Sequence, residues 1–530
     1  MSKSQLEIPS LLKNSLSELR SGLDQGHFTS VDLVRTYLER IREVDCKYNS
    51  IIETNPDALN VAHQMDSERA RSRQCRPLLG IPILLKDNIV TLDSMESTAG
   101  SMALIGAKPS KESAIVTALR RAGAIILGKT NMAEWSGFRS TSGCSGWSAR
   151  GGQAYGPFCE NMKASGSSTG SATAMALGLA SAALGTEACY SVVSPAERSG
   201  VVGFKPTRGL LPSDGIIHAS AKEDTVGVIT QTVHDAISLV EILSSHDPLG
   251  DLLITSHEWP NLSGIRIGIP TRALLPECFD VHSAKQAAFS KLVYRLSACG
   301  ATIVPEVTIP LATMYAELPS EHKEIVLNTD MKTSVNKYLS SLTTNPNHIH
   351  SLTDLIAFTK SCPVEEYPAR NVARLEAANA TSLTDPLYKE MLKKDDHFAT
   401  VIPEVLRTND LHVLVIPSLS VTLQTFAAKT GSPVMSVPIS QYPEDTAVEI
   451  DRSSGLVNVA PGIPFSVYIF GDKDADENVA NVGYACERVM GIRERLKPYV
   501  LPNTDLGGVV KKRRTDDGIV DGTDLASVQP

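Results

Sequence analysis

The amino-acid sequence predicts an α/β fold, and two buried-strand patterns on either side of a helix pattern carry this prediction. Residues 80–85 form a short apolar run, Ala114–Ala122 follows helical spacing up to Gly123, and residues 124–127 form a second apolar run. A strand, a helix and a strand in this order are typical of parallel α/β construction. Lys86 follows the first run directly, so a polar side chain is expected at the carboxyl end of a buried strand.

The first long helix is predicted to begin at Thr29. The Thr29 hydroxyl can accept from the backbone N–H of Asp32, and the Asp32 carboxylate can reach back to the backbone N–H of Thr29, as in a capping box. The apolar residues that follow recur at helical spacing and predict one buried stripe, made of Leu33, Val34, Tyr37, Leu38, Ile41 and Val44.

The rest of the chain continues with loop, helix and strand patterns. Residues 136–171 are rich in Gly and Ser and have no apolar period, which indicates a long functional loop. A helix of small residues is expected from about Thr169 to Ala183. The further predicted elements are a helix over residues 284–298 that stops at Gly300, a strand over Val413–Ile416 and a closing helix over Asp476–Arg495.

The composition is that of an ordinary globular protein and argues against several classes of function. Of the 530 residues, 42% are hydrophobic and 21% are charged. The 50 Lys and Arg residues against 59 Asp and Glu residues give a net charge of −9, so no nucleic-acid partner is expected. The nine cysteines are scattered without a C-x-x-C pair, which predicts reduced thiols and no zinc site.

The amino-terminal sequence and the hydropathy predict a cytoplasmic protein. The first ten residues, MSKSQLEIPS, lack the apolar stretch of a signal peptide. The smoothest apolar run, residues 172–184, is too short for a membrane span, so none is expected.

Three short segments contain residue types that can carry chemistry. Lys86 is either a surface lysine that extends its amine to solvent or a buried lysine whose lowered pKa lets the neutral amine act as a base. Ser165–Ser171 is either a flexible loop with a helix cap or a loop whose glycines and free N–H groups approach a reacting centre. Taken alone, Gly185–Ser191 is typical of a turn from a helix to a strand.

Taken together, these segments resemble the amidase signature family of serine hydrolases. The resemblance extends over roughly residues 12–500, and the separation of Ser167 from Ser191 is that of the two serines in the family. The segments that carry it are Pro77–Asn88, Gly128–Trp135, Ser165–Ala172, Ala183–Glu187, Gly200–Thr207, Gly431–Pro438 and Gly462–Phe465. The fold that this resemblance implies is a large twisted mixed β-sheet covered by α-helices on both faces.

The resemblance implies a Ser–cis-Ser–Lys triad. Ser191 would be the nucleophile, Ser167, preceded by a cis peptide bond, would relay its proton, and Lys86 would be the base. The backbone N–H groups of residues 188–191 would form the oxyanion hole. The oxyanion and substrate contacts implied in addition to the triad are Ala188, Cys189, Tyr190, Ser165 and Gly166. No metal and no organic cofactor is implied, and activity is expected to rise toward alkaline pH because a lysine base must be neutral.

The activity that the resemblance implies is hydrolysis of the C–N bond of a linear carboxamide through an acyl-enzyme on Ser191. Acyl transfer to an amine is the alternative within enzymes, and a catalytically impaired binding or scaffold protein is the alternative from another class. The expected partner is a small-molecule amide, and small amides, fatty amides, peptide C-terminal amides and glutaminyl-tRNA chemistry stay open. The oligomeric state also stays open, with a homodimer as one option.

The sequence departs from the family at the proposed oxyanion loop. Cys189 and Tyr190 stand where the family usually has two glycines, and Glu187 stands where it has Asp. Glycine reaches backbone angles that Cys and Tyr adopt only at a cost. The loop therefore either needs only ordinary angles, or serves a specialised substrate with Tyr190 reshaping the acyl pocket, or is impaired. Cys189 itself is either a small buried residue or an alternative nucleophile.

The domain organisation follows from the same resemblance. We expect residues 1–505 to form one domain, in which the helical residues 260–400 cover the catalytic face and shape the substrate side. Residues 506–530 are expected to be a disordered tail because they are polar and rich in Gly and Asp. Lys511–Arg514 in this tail is either a solvated charge run or a nuclear-import patch.

Overall fold

A computed structural model describes four ranges of the chain, residues 8–71, 76–141, 145–244 and 259–516. The α-helices of these ranges are α1 (Leu16–Asp24), α2 (Ser30–Val44), α3 (Ala58–Arg71), α4 (Ala114–Ala122), α5 (Thr169–Ala176), α6 (Val193–Ser199), α7 (Val233–Leu243), α8 (Pro276–Phe279), α9 (Ser283–Ala298), α10 (Ala312–Glu317), α11 (Ser320–Ser340), α12 (Leu352–Ser361), α13 (Ala373–Ala380), α14 (Pro386–Phe398), α15 (Val401–Thr408), α16 (Val421–Thr430), α17 (Asp476–Met490) and α18 (Leu506–Asp516). Short 3-10 helices lie at Asp45–Lys47, Met102–Leu104, Glu134–Gly137, Pro363–Glu365 and Arg493–Arg495.

The strands are β1 (Ile51–Thr54), β2 (Pro82–Lys86), β3 (Lys108–Pro109), β4 (Ile125–Thr130), β5 (Trp147–Ser148), β6 (Gly152–Gln153), β7 (Ala182–Glu187), β8 (Val202–Lys205), β9 (Thr225–Thr230), β10 (Arg266–Pro270), β11 (Thr302–Val307), β12 (Leu342–Thr344), β13 (Val413–Ile416), β14 (Val434–Gln441), β15 (Glu449–Ile450), β16 (Val457–Val459) and β17 (Pro464–Gly471).

One large mixed sheet organises these elements. Eleven strands pair in the order β1-β4-β2-β7-β9-β8-β14-β17-β13-β10-β11. The pairs β4–β2, β2–β7, β13–β10 and β10–β11 are parallel, and the other neighbours are antiparallel. Strands β4, β7, β9 and β17 are buried at every position, so both faces of the sheet are covered. The predicted mixed α/β fold is confirmed.

The predicted capping box of α2 is present. Thr29 Oγ1 accepts from the backbone N–H of Asp32, and the Asp32 carboxylate accepts from the backbone N–H of Thr29 at 2.9 Å. Every residue of the predicted apolar stripe is buried. The local sequence pattern was sufficient to predict the start and the buried face of α2, because the capping atoms and the stripe residues lie within one helix.

The predicted strand–helix–strand unit is also present, as β2, α4 and β4. Gly123, with a φ of +94°, ends α4 in the left-handed conformation that glycine adopts at little cost. Strands β2 and β4 run parallel, and Lys86 at the end of β2 lies opposite Thr130 at the end of β4. The side chains of Lys86 and Thr130 therefore lie at the same edge of the sheet, where the two parallel strands end.

The helix expected over Thr169–Ala183 was wrong in its second half. Helix α5 ends at Ala176, and residues 182–187 form strand β7 between β2 and β9. Gly178 turns the chain with a φ of +61°, and a Cβ there would lie 2.4 Å from the carbonyl oxygen of Leu11. A run of Ala and Gly has no apolar period that separates a buried helix from a buried strand, so the sequence pattern did not show this break.

Two carboxyl-terminal expectations also needed correction. The closing helix α17 ends at Met490 rather than Arg495, because Gly491 adopts φ +53°. Residues 506–516 of the expected disordered tail form α18, and Arg513 pairs with Asp32 at 2.9 Å. Asp32 is distant from Arg513 in the sequence, so no local sequence pattern predicts this ion pair. Residues 517–530 lie outside the described residues.

The hydrophobic side chains form one large cluster and two smaller ones. The large cluster includes the sheet strands with α2, α4, α7 and α17. A second includes Tyr468, Phe398 and Phe426, and a third joins Trp135 and the loop after β2 to α11, α12 and α13. Among the described helices, none combines the length and hydrophobicity that crossing a bilayer requires. The described residues also contain no group of three or more His, Cys, Asp or Glu side chains arranged to hold a metal.

Candidate active site

Lys86 is fully buried at the carboxyl end of β2. Its Nζ lies 2.6 Å from Ser167 Oγ, 2.9 Å from Thr186 Oγ1 and 3.0 Å from the carbonyl oxygen of Thr186. Burial lowers the pKa of the Lys86 amine to about 7, and the carboxylates of Asp224 and Glu187 oppose that shift. The structure therefore supports the buried lysine over the surface lysine.

Thr186 holds the Lys86 amine from the neighbouring strand β7. Both its oxygens contact Nζ, and its hydroxyl also accepts from Asn88 Nδ2 at 3.0 Å. No sequence motif predicted a role for Thr186. The only available signal was its place in Ala183–Glu187, and a single threonine in a strand has no pattern of its own.

The Ser165–Ser168 segment brings a second hydroxyl to the lysine. The peptide bond between Gly166 and Ser167 is cis, as the resemblance implies. Ser165 has a φ of +67°, and its carbonyl oxygen accepts from Thr169 Oγ1 at 2.7 Å. The backbone N–H of Ser168 donates to the carbonyl oxygen of Ser191 at 2.9 Å, so this loop is tied directly to the one that carries Ser191.

Ser191 lies in the loop between β7 and α6. The backbone N–H groups of residues 188–191 donate to no group in the described part of the chain. The next two N–H groups, of Val192 and Val193, donate to the Glu187 carboxylate at 2.5 and 3.1 Å. Glu187 thus holds the start of α6 in place, while the backbone N–H groups of residues 188–191 stay available for a ligand.

A cavity of about 380 Å³ collects the predicted residues. Its walls include every predicted site residue except Lys86: Ser165, Gly166, Ser167, Ala188, Cys189, Tyr190 and Ser191. Lys86 contacts Ser167 from the buried side. No hydrogen bond joins Ser191 Oγ to Ser167 Oγ in the described structure. Lys86 and Ser167 are therefore hydrogen-bonded to each other, and Ser191 shares the cavity wall with Ser167.

Other parts of the chain complete the cavity wall. Leu327 of α11 and Arg374 of α13 come from the helical residues 260–400, and Asp224 precedes β9. The Asp224 carboxylate accepts from the backbone N–H of Ala219 at 2.7 Å and lies 3.4 Å from His218. None of these three was predicted as a site residue, because single Asp, Leu and Arg residues follow no sequence motif.

Comparisons with known proteins agree with this architecture. A family model described as Amidase matches residues 32–479. The chain belongs to the amidase family. It is 35% identical to a putative amidase of Arthroderma benhamiae, over 95% of this chain and 90% of that protein. A probable amidase of Arabidopsis thaliana is 31% identical, over 92% of this chain and 91% of that protein.

A solved structure supports the same assignment. The native peptide amidase of Stenotrophomonas maltophilia is 31% identical and superposes with a TM-score of 0.76, over 93% of this chain and 99% of that one. The protein is accordingly an amidase-family hydrolase of amide C–N bonds.

The two residues that depart from the usual amidase pattern behave differently. Tyr190 has a φ of +51°, in the left-handed region that favours glycine, whereas Cys189 does not. Burial raises the pKa of the Cys189 thiol, and the Glu187 carboxylate adds to that effect. A thiol held in its neutral form is a poor nucleophile, which weighs against Cys189 as the alternative to Ser191.

Proposed function

We propose that this amidase hydrolyses a linear carboxamide through an acyl-enzyme on Ser191, with Ser167 and Lys86 as the proton relay. The observation that carries the proposal is the 2.6 Å contact between Lys86 Nζ and Ser167 Oγ at a fully buried lysine. A base must hold a free electron pair at the working pH, and a pKa near 7 leaves much of the amine neutral.

The contacts of Nζ support a defined orientation of the neutral amine. Such an amine has two N–H donors and one lone pair. The two oxygens of Thr186 can accept the two N–H groups, and the lone pair then faces the hydroxyl of Ser167. Ser167 can donate its proton to Lys86 and accept one from Ser191, provided that Ser191 Oγ approaches when substrate is bound.

The reaction would then proceed in two stages, acylation of Ser191 and hydrolysis of the acyl-enzyme. Ser191 Oγ attacks the carbonyl carbon while its proton passes through Ser167 to Lys86. The backbone N–H groups of residues 188–191, which have no partner among the described residues, would stabilise the oxyanion. The C–N bond breaks as the proton returns through Ser167 to the leaving nitrogen. Water then attacks the ester by the same relay, and the acid leaves.

Labelling with a fluorophosphonate probe tests this proposal. We expect the wild-type chain to be labelled at Ser191, Ser191→Ala not at all, and Lys86→Met and Ser167→Ala at least about 100-fold more slowly. Lys129→Met is the matched control, because Lys129 is also a fully buried lysine but its amine contacts Ile89 and Ser97 instead. Circular dichroism checks that each variant is folded.

The alternatives give different results in the same experiment. Labelling that persists in Lys86→Met would contradict the relay, and a folded wild-type chain that is never labelled would favour the scaffold protein. Activity abolished by iodoacetamide but intact in Ser191→Ala would favour Cys189. Acyl transfer would appear as a substituted amide product when a competing amine is added, whereas hydrolysis gives only the acid.

A further inference from the structure

Asp224 lies at the same edge of the large sheet as Lys86 and on the same face. Strand β9 begins at the next residue, Thr225, and pairs antiparallel with β7, which places Val226 opposite Thr186. Directly opposite residues share a face of a sheet, and so do alternate residues of one strand, so Asp224 lies on the face of Thr186. Lys86 Nζ contacts the Thr186 hydroxyl at 2.9 Å and therefore lies on that face too.

The second carboxylate near this amine, that of Glu187, has other partners. Glu187 follows Thr186 directly in β7, so its side chain lies on the opposite face, where it accepts the N–H groups at the start of α6. The charge of the Lys205 amine also acts on Glu187. Burial lowers the pKa of Lys86, and of the two carboxylates that oppose this shift Asp224 has the larger effect. The cavity wall includes Asp224 and Thr186 but not Glu187, so Asp224 is the carboxylate that faces the base.

The Asp224 carboxylate is held in place but has no lysine or arginine as an ion-pair partner. It is buried, accepts from the backbone N–H of Ala219 at 2.7 Å and lies 3.4 Å from His218 Nδ1. Among the residues that the structure describes, no lysine or arginine forms an ion pair with it. A buried negative charge without a counter-ion favours a positive charge nearby, and Lys86 can supply one when it is protonated.

We propose that Asp224 is a positioning residue of the proton relay, whose carboxylate stabilises the ammonium group that Lys86 becomes during acylation. The proton of Ser191 Oγ passes to Ser167, and Ser167 passes its own proton to Lys86 Nζ, which then carries a positive charge. This charge is lost when the proton returns through Ser167 to the leaving nitrogen, so Asp224 itself neither gains nor loses a proton. A carboxylate that is already fixed needs no rearrangement when the cation forms. This inference rests on the proposed function, because Asp224 acts through the same relay.

The rate of fluorophosphonate labelling, measured as a function of pH, tests this role. The labelling rate should fall as Lys86 becomes protonated, with a midpoint at about pH 7 in the wild-type chain. In Asp224→Asn we expect this midpoint to fall by about one pH unit, because loss of the negative charge makes the ammonium harder to form. The alkaline plateau should fall about threefold, because a weaker base draws the proton less strongly. Asp224→Glu, which keeps the charge, should retain the wild-type midpoint.

Two further variants separate this effect from structural changes and from the neighbouring histidine. Glu223→Gln is the matched control, because Glu223 is the adjacent carboxylate but pairs with Lys429, which keeps Asp395 at 2.7 Å after the change. The midpoint should not move in this variant. Because histidine side chains titrate in this pH range, the shift caused by Asp224→Asn should also appear when His218→Gln is present. Circular dichroism checks the fold, and Asp224→Ser replaces Asp224→Asn if the latter is unfolded.

The possible outcomes distinguish this inference from the proposed function. An unchanged midpoint in Asp224→Asn, or an equal shift in Glu223→Gln, would overturn the inference, while labelling at Ser191 would still support the proposed function. A lower plateau without a shift of the midpoint would indicate a structural effect and would also overturn it, as would a shift that disappears when His218→Gln is present. A folded wild-type chain that is never labelled would overturn the proposed function together with this inference.

Discussion

At the scale of single residues, Tyr190 shows how a departure from the usual amidase pattern is accommodated. Its φ of +51° is the conformation that glycine supplies without steric cost, so the loop keeps a glycine-like shape with a tyrosine in it. The ring packs against the cluster that includes Val193 and Tyr315, and this burial offsets the cost. Three outcomes were considered for this loop. The first, that the loop needs only ordinary backbone angles, is wrong because Tyr190 has a positive φ. A loop that serves a specialised substrate and a loop that is impaired both stay open.

A pair of substitutions isolates the backbone cost at Tyr190. Tyr190→Gly and Tyr190→Ala both remove the ring, but only Ala keeps a Cβ in the left-handed region. We expect the Gly variant to be more stable than the Ala variant by about 1 kcal/mol in urea unfolding. At Cys189, whose φ is not positive, the order should reverse. The same order at both positions would contradict this account.

We expect the protonation state of Lys86 to control the pH dependence of activity. Because burial lowers the pKa of this amine to about 7, the neutral base is lost as the pH falls below that value. We expect kcat/KM to fall about tenfold per pH unit below pH 7 and to level off above about pH 8. A profile of kcat/KM between pH 5.5 and 9.5 measures this, and an acid optimum would contradict a neutral lysine base.

The same shift predicts the pH dependence of stability. The Lys86 amine has a pKa of about 7 in the folded chain, against 10.5 for an ordinary lysine, so the unfolded chain binds more protons between these two pH values. The contribution of Lys86 to the free energy of unfolding therefore falls as the pH falls from 10.5 to 7, and the full penalty for burying the charged amine is present below pH 7. Lys86→Met removes this penalty.

Urea unfolding of Lys86→Met and wild type at pH 6 and pH 9 checks the sign. The variant should gain stability relative to wild type at pH 6 compared with pH 9, by an amount on the order of 2 kcal/mol. The lost hydrogen bonds to Thr186 are common to both pH values and do not affect this difference. A pH-independent difference would show that the Lys86 pKa is not lowered.

At the scale of elements, strand β7 and helix α6 hold the proposed oxyanion loop between them. Strand β7 ends at Glu187, whose carboxylate accepts the N–H groups of Val192 and Val193 at the start of α6. Burial raises the pKa of Glu187, and the Lys205 amine opposes that shift. The Glu187 side chain thus acts as a clamp across the loop, because its backbone belongs to β7 and its carboxylate binds the first N–H groups of α6.

Substitution of Glu187 should affect stability and labelling together. Glu187→Ala leaves two N–H groups without their acceptor and should cost about 1–3 kcal/mol in unfolding while slowing the labelling of Ser191. Glu187→Gln keeps an acceptor oxygen and should retain most of both. Asp32→Ala, which removes the capping carboxylate of α2, is the control that should lower stability without slowing labelling. An unchanged labelling rate in Glu187→Ala would contradict the clamp.

At the scale of the whole molecule, a buried ionic cluster joins the helical middle region to the cavity wall. Arg139 lies 3.1 Å from Glu134 and 3.6 Å from Glu365, and all three side chains are fully buried. Arg139 also donates to the carbonyl oxygens of Asn371 and Glu365 at 2.7 Å. This cluster and the third hydrophobic cluster fix the segment that leads to Arg374, so its position depends on contacts across more than 200 positions of sequence.

Loss of the central cation should destabilise the chain in a pH-dependent way. Arg139→Met leaves two buried carboxyl groups without a counter-ion and should cost about 3–5 kcal/mol. Burial and the Glu365 charge already raise the pKa of Glu134, so the Glu134 carboxyl group can take up a proton at lower pH. The loss measured in urea should therefore be smaller at pH 5 than at pH 8. Equal losses at both pH values would contradict this interpretation.

The site could be predicted from the sequence only in part. Lys86, Ser167 and Ser191 lie in separate segments, and each segment taken alone had an ordinary structural interpretation. The resemblance of the segments, in their order, pointed to these three residues. The structure places Ser167 and Ser191 on the wall of one cavity and Lys86 in contact with Ser167 behind that wall. Thr186 and Arg374 were missed because their contacts depend on strand pairing and on the packing of the middle helices, which no local motif encodes.

The sequence alone determined the features whose physical causes act within a few residues. The capping box and buried stripe of α2, the glycine stop of α4 and the β2–α4–β4 unit are of this kind. Only the tertiary structure decided that residues 182–187 form a strand, that Tyr190 takes a left-handed φ and that burial lowers the pKa of Lys86. Burial, counter-charges and strand partners come from residues distant in the chain, so these properties exist only once the chain has folded.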